Sequence, residues 1–187
     1  TKKTRFTAQW LEERGFTTAI EERRFGTWTR RAPHEPGVAL CGVDNALARL
    51  ALDKAGFDLV VEAGLGAGPQ SFRSFSLHTF PSSLQPEKIW SRYVGAPDAD
   101  LSTLPAYATL RKRGMDACGL AQLASRTVGV PFVGLTTATL VIAELPRRLH
   151  GGSAIEVLSA SLMCLEDAEV VTMATAPYGY GHVPVAR

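Results

Sequence analysis

The sequence predicts an α/β fold with a mixed, partly parallel sheet flanked by helices. A short apolar run at residues 37–42 is followed by a helical pattern at 45–55 and a second apolar run at 58–62. This strand–helix–strand order implies a right-handed crossover between parallel strands. Residues 71–80 then alternate between apolar and polar side chains, which is typical of an antiparallel strand.

Local patterns predict the elements in order. The helices are expected at 3–14, 45–55, 116–127 and 131–145. The strands are expected at 17–20, 37–42, 58–62, 71–80, 154–158 and 168–174. The continuous apolar character of 37–42 indicates a strand buried on both faces, and the periodicity of 45–55 turns Leu47, Leu50 and Leu52 inward. The intervening residues 81–105 are rich in Pro, Ser and Asp and are expected to form a long surface segment.

Composition favours one soluble domain over residues 1–187. Of the 187 residues, 45% are hydrophobic and 20% are charged, which is enough apolar material for a core. The net charge of +2 gives no bulk field for nucleic acid or a membrane surface. The longest apolar run, 128–145, is interrupted by Pro131 and Glu144, so we expect a buried helix and not a membrane span.

A glycine-rich run, Gly64-Leu65-Gly66-Ala67-Gly68, follows the second apolar strand. A dinucleotide loop needs G-x-G-x-x-G at the start of a helix, so that backbone N–H groups meet the pyrophosphate. Here the third glycine comes one residue early, and Pro69 and a strand-like stretch follow. We therefore favour a tight turn or a close backbone approach, and the misplaced glycine also argues against a nucleotide-cofactor oxidoreductase.

Asp44 follows the C-terminal end of a predicted strand, where ligands bind in open α/β sheets. The same position suits the N-cap of the helix predicted at 45–55. Arg49 lies five residues further on and is able to flank the same sheet edge. The pair is thus either a helix cap with a surface cation, or a magnesium-directed carboxylate with a cation for phosphate. Spacing alone does not separate these interpretations.

The run Gly42-Val43-Asp44-Asn45-Ala46-Leu47-Ala48-Arg49 resembles the Asp-Asn motif of adenylating enzymes of the ThiF/MoeB/HesA superfamily. These enzymes use ATP to activate the C-terminus of ubiquitin-like or sulfur-carrier proteins. Further segments are similar to the late helix pair of that family: Cys118-Gly119-Leu120, residues 128–134, Ala143-Glu144-Leu145 and His150-Gly151-Gly152. The resemblance covers residues 2–152 and implies the second half of a Rossmann-like adenylation domain.

The resemblance also implies site residues, cofactors and partners. Asp44 would help to hold magnesium–ATP, Asn45 belongs to the same nucleotide motif, and Arg49 would support the site. Lys3 starts a helix in the register of a family lysine that contacts the nucleotide phosphates, with Lys2 as its competitor. The implied cofactors are ATP and Mg²⁺. The implied partners are the C-terminus of a ubiquitin-like or sulfur-carrier protein or peptide, and a second copy in a homodimer.

Two departures from the family pattern qualify these expectations. The family's opening strand, Gly-rich nucleotide loop and Arg-rich segment are not found before Thr1. The chain is therefore expected to be a fragment, one half of a split enzyme, or a catalytically silent module for protein binding or dimerisation. The two Cys-x-x-Cys pairs of the family are missing as well, so no structural zinc is expected. Three scattered cysteines favour a reducing cytoplasm.

Within the single domain, residues 1–80 are expected to carry the nucleotide-site residues, 81–115 a loop or crossover region, and 116–187 the late helices and closing strands. Cys118 falls two residues after Asp116, a possible N-cap, and a first-turn position favours a thiolate. The resemblance implies a thioester or persulfide link to the carrier protein through this region. A small buried residue at a helix start is the alternative, and both interpretations stay open.

Cys41 lies inside a predicted strand and is expected in the core. A basic cluster, namely Arg23, Arg24, Arg30 and Arg31, surrounds Phe25 and Trp28. The cluster suits either a phosphate or acidic partner, or a solvated edge. We favour the solvated edge, because runs of charge are usually exposed to water.

Overall fold

The computed structural model describes residues 2–66, 71–95, 105–114 and 130–173. Within them, one five-stranded sheet runs in the order β1-β2-β3-β4-β5. The strands are β1 (Val38–Cys41), β2 (Leu59–Leu65), β3 (Ser74–Phe80), β4 (Ala154–Ser161) and β5 (Cys164–Met173). β1 and β2 pair in parallel, and the later neighbours pair antiparallel. The predicted α/β class with a mixed, partly parallel sheet is confirmed.

Five α-helices accompany the sheet in the described residues. They are α1 (Lys3–Glu12), α2 (Ala46–Arg49), α3 (Pro86–Trp90), α4 (Pro105–Lys112) and α5 (Pro131–Leu149). Short 3-10 turns follow α2 at Leu52–Lys54 and α3 at Ser91–Tyr93. The helix predicted at 131–145 is confirmed, and α5 continues through Pro146 to Leu149. None of the helices in the described ranges is long and apolar enough to cross a membrane.

The sheet buries two apolar clusters that contain alternate residues of β2. Side chains of successive strand residues point to opposite faces, so Leu59 and Val61 pack with Leu77 of β3 and Val141 of α5. A separate cluster contains Val60, together with Leu52, Phe80 and Trp90. The apolar run at β2 therefore supplies core residues to both clusters, as its continuous hydrophobic pattern predicted.

The region before β2 differs from the sequence-based prediction in three respects. Residues 17–20 form no strand, because a β-branched segment becomes a strand only when it finds a pairing partner. Among the described strands, β1 pairs with β2 alone. Leu40 keeps 41% exposure, so burial on both faces was a wrong prediction. The helix expected at 45–55 is divided into α2 and a 3-10 turn, which buries Leu52 but leaves Leu47 exposed.

The C-terminal half agrees better with expectation. The predicted strands at 154–158 and 168–174 correspond to β4 and β5, which are longer and form an antiparallel hairpin. Residues 81–105 are not a plain surface segment, since α3 lies within them and buries Trp90. The helix predicted at 116–127 lies outside the described residues.

Candidate functional site

The loop between β1 and α2 carries the Asp-Asn motif. Asn45 is the N-cap of α2, and its Oδ1 accepts a hydrogen bond from the Ala48 amide at 2.8 Å. Its Nδ2 donates to Asp44 Oδ1 at 3.4 Å. Of the two interpretations of Asp44, the helix cap is wrong, because Asn45 directly precedes the first helical residue. Asp44 is consequently left with an exposed carboxylate at the C-terminal end of a parallel strand.

Two clefts meet at Arg24. Asp44 and Asn45 line a surface cleft of about 380 Å³ together with Arg24 and Phe25. A second cleft of about 260 Å³ is lined by Lys3 and Arg24 together with Lys2, Thr4, Glu21, Glu22 and Arg23. Lys3 and Asp44, which lie 41 positions apart in the sequence, therefore face neighbouring clefts that share one arginine.

Adjacent cations in these clefts differ in their partners. The Lys2 ammonium lies 2.7 Å from Glu22 Oε2, and Arg23 Nε lies 2.8 Å from Glu21 Oε1. The hydrogen bond from Lys2, and next that from Arg5, lowers the pKa of Glu22. Among the residues that the structure describes, Lys3 and Arg24 have neither an ion pair nor a side-chain hydrogen bond.

This contrast bears on two sequence-based interpretations. α1 begins at Lys3 with Lys2 as its N-cap residue. Of these two lysines, Lys2 has an acidic partner, whereas Lys3 has none in the part of the chain that the structure describes. Arg24 was assigned to a solvated basic edge. Arg24 is exposed, as that prediction requires, and it lines both the cleft of Lys3 and the cleft of Asp44. No sequence signal separated Arg24 from Arg23.

Arg49 lies beneath the loop and is held on several sides. Its Nε donates to the Val43 carbonyl at 3.1 Å and lies 2.9 Å from Glu62 Oε1. The guanidinium packs against β2 at Gly64, where an added Cβ would stand only 2.6 Å from Nη2. The Arg49 guanidinium therefore contacts the buried Glu62 carboxylate and the Val43 carbonyl, and Arg49 does not line the Asp44 cleft.

The two described glycines of the glycine-rich run, Gly64 and Gly66, lie where other atoms approach closely, as expected. Gly64 leaves room for the Arg49 guanidinium. The Gly66 amide donates to the Ser74 carbonyl at 2.7 Å, and an added Cβ on Gly66 would clash with the Ser71 carbonyl oxygen. Both positions thus need glycine because side-chain or backbone atoms pass directly over them.

A buried polar network lies under the Asp44 loop. Glu62 of β2 is fully buried, and its Oε2 lies 3.0 Å from Nδ1 of His78, its cross-strand neighbour on β3. The Trp90 ring packs edge-on to His78 with centroids 5.0 Å apart, and Arg49 Cζ lies 5.7 Å from the Trp90 centroid. Sequence reasoning missed this network, although a single acid in the apolar run of β2 was a signal for a buried partner.

Of the three cysteines, Cys41 and Cys164 lie within the described residues. Cys41 on β1 pairs in register with Glu62. Burial, and next the Glu62 charge, raises the pKa of the Cys41 thiol to about 11, which disfavours the thiolate that nucleophilic attack requires. Cys118 lies outside the described residues. No three His, Cys, Asp or Glu side chains in the described ranges come together as a metal site.

Comparison with known proteins gives the family. Residues 1–152 match the family model described as BilD C-terminal domain, and the chain belongs to this family. It is also 61% identical over 180 residues to the "Bacterial E1-like protein BilD" of Collimonas sp. (strain OK412). The alignment covers 96% of this chain but 39% of that relative, so the chain spans about two fifths of the relative's length. No solved structure matches the chain.

Proposed function

We propose that this chain supplies part of the magnesium–ATP site of an E1-like enzyme of the ThiF/MoeB type. The enzyme would adenylate the C-terminal carboxylate of a ubiquitin-like or sulfur-carrier protein or peptide. One observation carries the proposal: Lys3 and Arg24, which have no ion pair or side-chain hydrogen bond within the described residues, lie in clefts adjoining the exposed carboxylate of Asp44. The E1-like name of the relative from Collimonas supports the same class of enzyme.

The charges of these side chains fit a magnesium–triphosphate. Lys and Arg side chains bind phosphate oxygens through charge-assisted hydrogen bonds, and Lys3 and Arg24 have no acidic partner among the described residues. Magnesium in nucleotide sites is usually bound by one or two carboxylates together with phosphates and water. Asp44 alone is thus a sufficient protein ligand, and Asn45 fixes the backbone beside it by capping α2.

The reaction needs charge stabilisation more than proton transfer. A carboxylate oxygen of the carrier protein attacks the α-phosphorus of ATP, and the bond from that phosphorus to the bridging oxygen breaks. An acyl-adenylate forms and pyrophosphate leaves with the electron pair. Cations beside the phosphates stabilise the charge that builds up, which is often the largest catalytic contribution. Lys3 and Arg24 would provide this, while Asp44 positions the metal.

Other parts of the proposal rest on the resemblance alone. The Gly-rich nucleotide loop would come from protein outside these residues, from the same polypeptide or from a second chain. Cys118 is a candidate to accept the activated acyl group from the adenylate, with release of AMP. A homodimer belongs to the same proposal, and sedimentation of the complete protein tests it.

A silent recognition module is the second candidate function. The observation in its favour is that Gly64 packs against Arg49 and Gly66 against the backbone, so these two glycines of the run are already used for packing within the fold. Such a module would keep the fold for protein binding or dimerisation. The two functions predict opposite results in the same assay.

The assay is ATP–pyrophosphate exchange by the complete protein in the presence of its carrier protein. Asp44→Ala is compared with Asp58→Ala, an exposed acid that directly precedes β2 and so lies at the opposite end of the parallel pair. We expect exchange to fall about a hundredfold in the first variant and to stay near wild type in the second. Unchanged exchange by Asp44→Ala removes Asp44 from the site, and no exchange by the wild type favours the silent module.

A further inference from the structure

We infer that Glu62 and His78 are positioning residues that hold Asp44 in place through Arg49. The inference rests on the proposed function, because it assigns these residues to the magnesium–ATP site above them. Neither residue lines either cleft. Their effect on the site would therefore pass through the backbone of the loop between β1 and α2.

The contact chain runs from the sheet to the loop in two steps. Arg49 Nε carries a single proton and donates it to the carbonyl of Val43, the residue directly before Asp44. Glu62 Oε1 lies 2.9 Å from the same nitrogen but has no hydrogen-bond partner within the described residues. Glu62 therefore attracts the guanidinium by its charge, while the Nε proton of Arg49 forms the hydrogen bond to the Val43 carbonyl in the loop.

The carboxylate itself has little freedom. The second carboxylate oxygen of Glu62 lies 3.0 Å from His78 Nδ1. An ionised carboxylate only accepts hydrogen bonds, so this contact is a hydrogen bond in the His78 tautomer that has its proton on Nδ1. Trp90 packs against His78 and is itself buried. A charge with no exposure to water is weakly screened. Salt should therefore leave the hold of Glu62 on Arg49 largely intact.

The geometry of β2 is suited to this hold. Gly64 lies two residues after Glu62 on the same face of the strand, and its missing side chain leaves the space that the guanidinium fills. Glu62 and Gly64 thus place the charge and the space for Arg49 on one strand. A strand that only needed burial at these positions would be served by apolar side chains.

The test is the dissociation constant of magnesium–ATP for the complete protein, measured by isothermal titration. Glu62→Gln is compared with Glu144→Gln. Glu144 is equally buried and pairs with Arg147 at 2.7 Å, but it lies on α5 and not beneath the loop. We expect Glu62→Gln to weaken binding about tenfold or more, as removal of outer-shell partners does. Glu144→Gln should lose thermal stability but keep wild-type affinity.

Two further measurements separate positioning from general destabilisation. Amide hydrogen exchange at residues 45–48 without nucleotide should be faster in Glu62→Gln and unchanged in Glu144→Gln. In a double-variant cycle, Asp44→Ala/Glu62→Gln should bind no more weakly than Asp44→Ala, because Glu62 acts through the Asp44 loop. Full additivity of the two losses contradicts the inference.

The outcomes distinguish the inference from the proposed function. If Asp44→Ala binds magnesium–ATP as the wild type does, the proposed function fails. If Asp44→Ala binds weakly but Glu62→Gln behaves like Glu144→Gln, the proposed function stands and the positioning role is overturned. Should Glu62→Gln fail to fold, Gly64→Ala decides. It keeps every charge but displaces the guanidinium, and unchanged affinity in this variant overturns the role.

Discussion

Replacing Arg49 with alanine removes the cation that lies 2.9 Å from a fully buried carboxylate. Breaking a buried ion pair usually costs about 3–5 kcal/mol, because the remaining charge is left without compensation. The Arg49 side chain keeps 20% exposure, and His78 still contacts the other oxygen of Glu62. We therefore expect the low end of that range, about 3 kcal/mol of local stability.

Hydrogen exchange of the β2 and β3 amides measures this loss directly. A decrease of about 3 kcal/mol in opening free energy corresponds to exchange about a hundredfold faster. A paired variant, Arg49→Met/Glu62→Leu, should recover most of the loss, because apolar side chains often replace a buried ion pair at little cost. A loss below about 1 kcal/mol for Arg49→Ala, the value typical of exposed pairs, refutes the reasoning that this pair behaves as a buried one.

Two smaller predictions concern other contacts. Asn45→Ala removes the side-chain cap of α2 and should lower the free energy of unfolding by about 1 kcal/mol. Asn45→Asp keeps an acceptor and should lower it less. Equal losses in the two variants, measured by thermal unfolding, contradict the role of Asn45 as a cap. The Ser83 hydroxyl, and also the Leu84 amide, lowers the pKa of Glu156 below its ordinary 4.5, so its stabilisation is full above 4.5 and is lost as pH falls through the folded value. The difference in melting temperature between wild type and Glu156→Gln should therefore shrink below pH 4.5, and a difference that stays constant is the contrary result.

Elements whose own sequence has a clear hydrophobic pattern were predictable. β2 is a continuous apolar run, β3 alternates, and α5 repeats its apolar residues at helical spacing. Elements that depend on a neighbour were not predictable. Residues 17–20 have strand-forming side chains but no pairing partner among the described strands. The apolar run at β1 gave no indication that, among the described strands, β1 would pair with β2 alone.

The candidate site was predictable only in part. Asp44 and Lys3 were identified by resemblance, and the structure places them beside clefts that share Arg24. Arg23 and Arg24 look equivalent in sequence. Only the folded chain shows that Arg23 has an acidic partner, Glu21. The contact between Glu62 and His78 depends on the register of β2 against β3, and a one-residue slip would place the two side chains on opposite faces.

The most direct test of the proposed site compares two pairs of cations that are neighbours in sequence. Magnesium–ATP binding to the complete protein is measured for Lys3→Gln/Arg24→Gln and for Lys2→Gln/Arg23→Gln, which remove the same charge. A hydrogen bond to a charged group contributes about 1.5–3 kcal/mol, so the first variant should bind about a hundredfold more weakly. The second should lose clearly less affinity than the first, because its cations pair with Glu22 and Glu21 and so lose no direct bond to phosphate. Equal weakening in both variants, or in neither, contradicts a nucleotide site built on Lys3, Arg24 and Asp44.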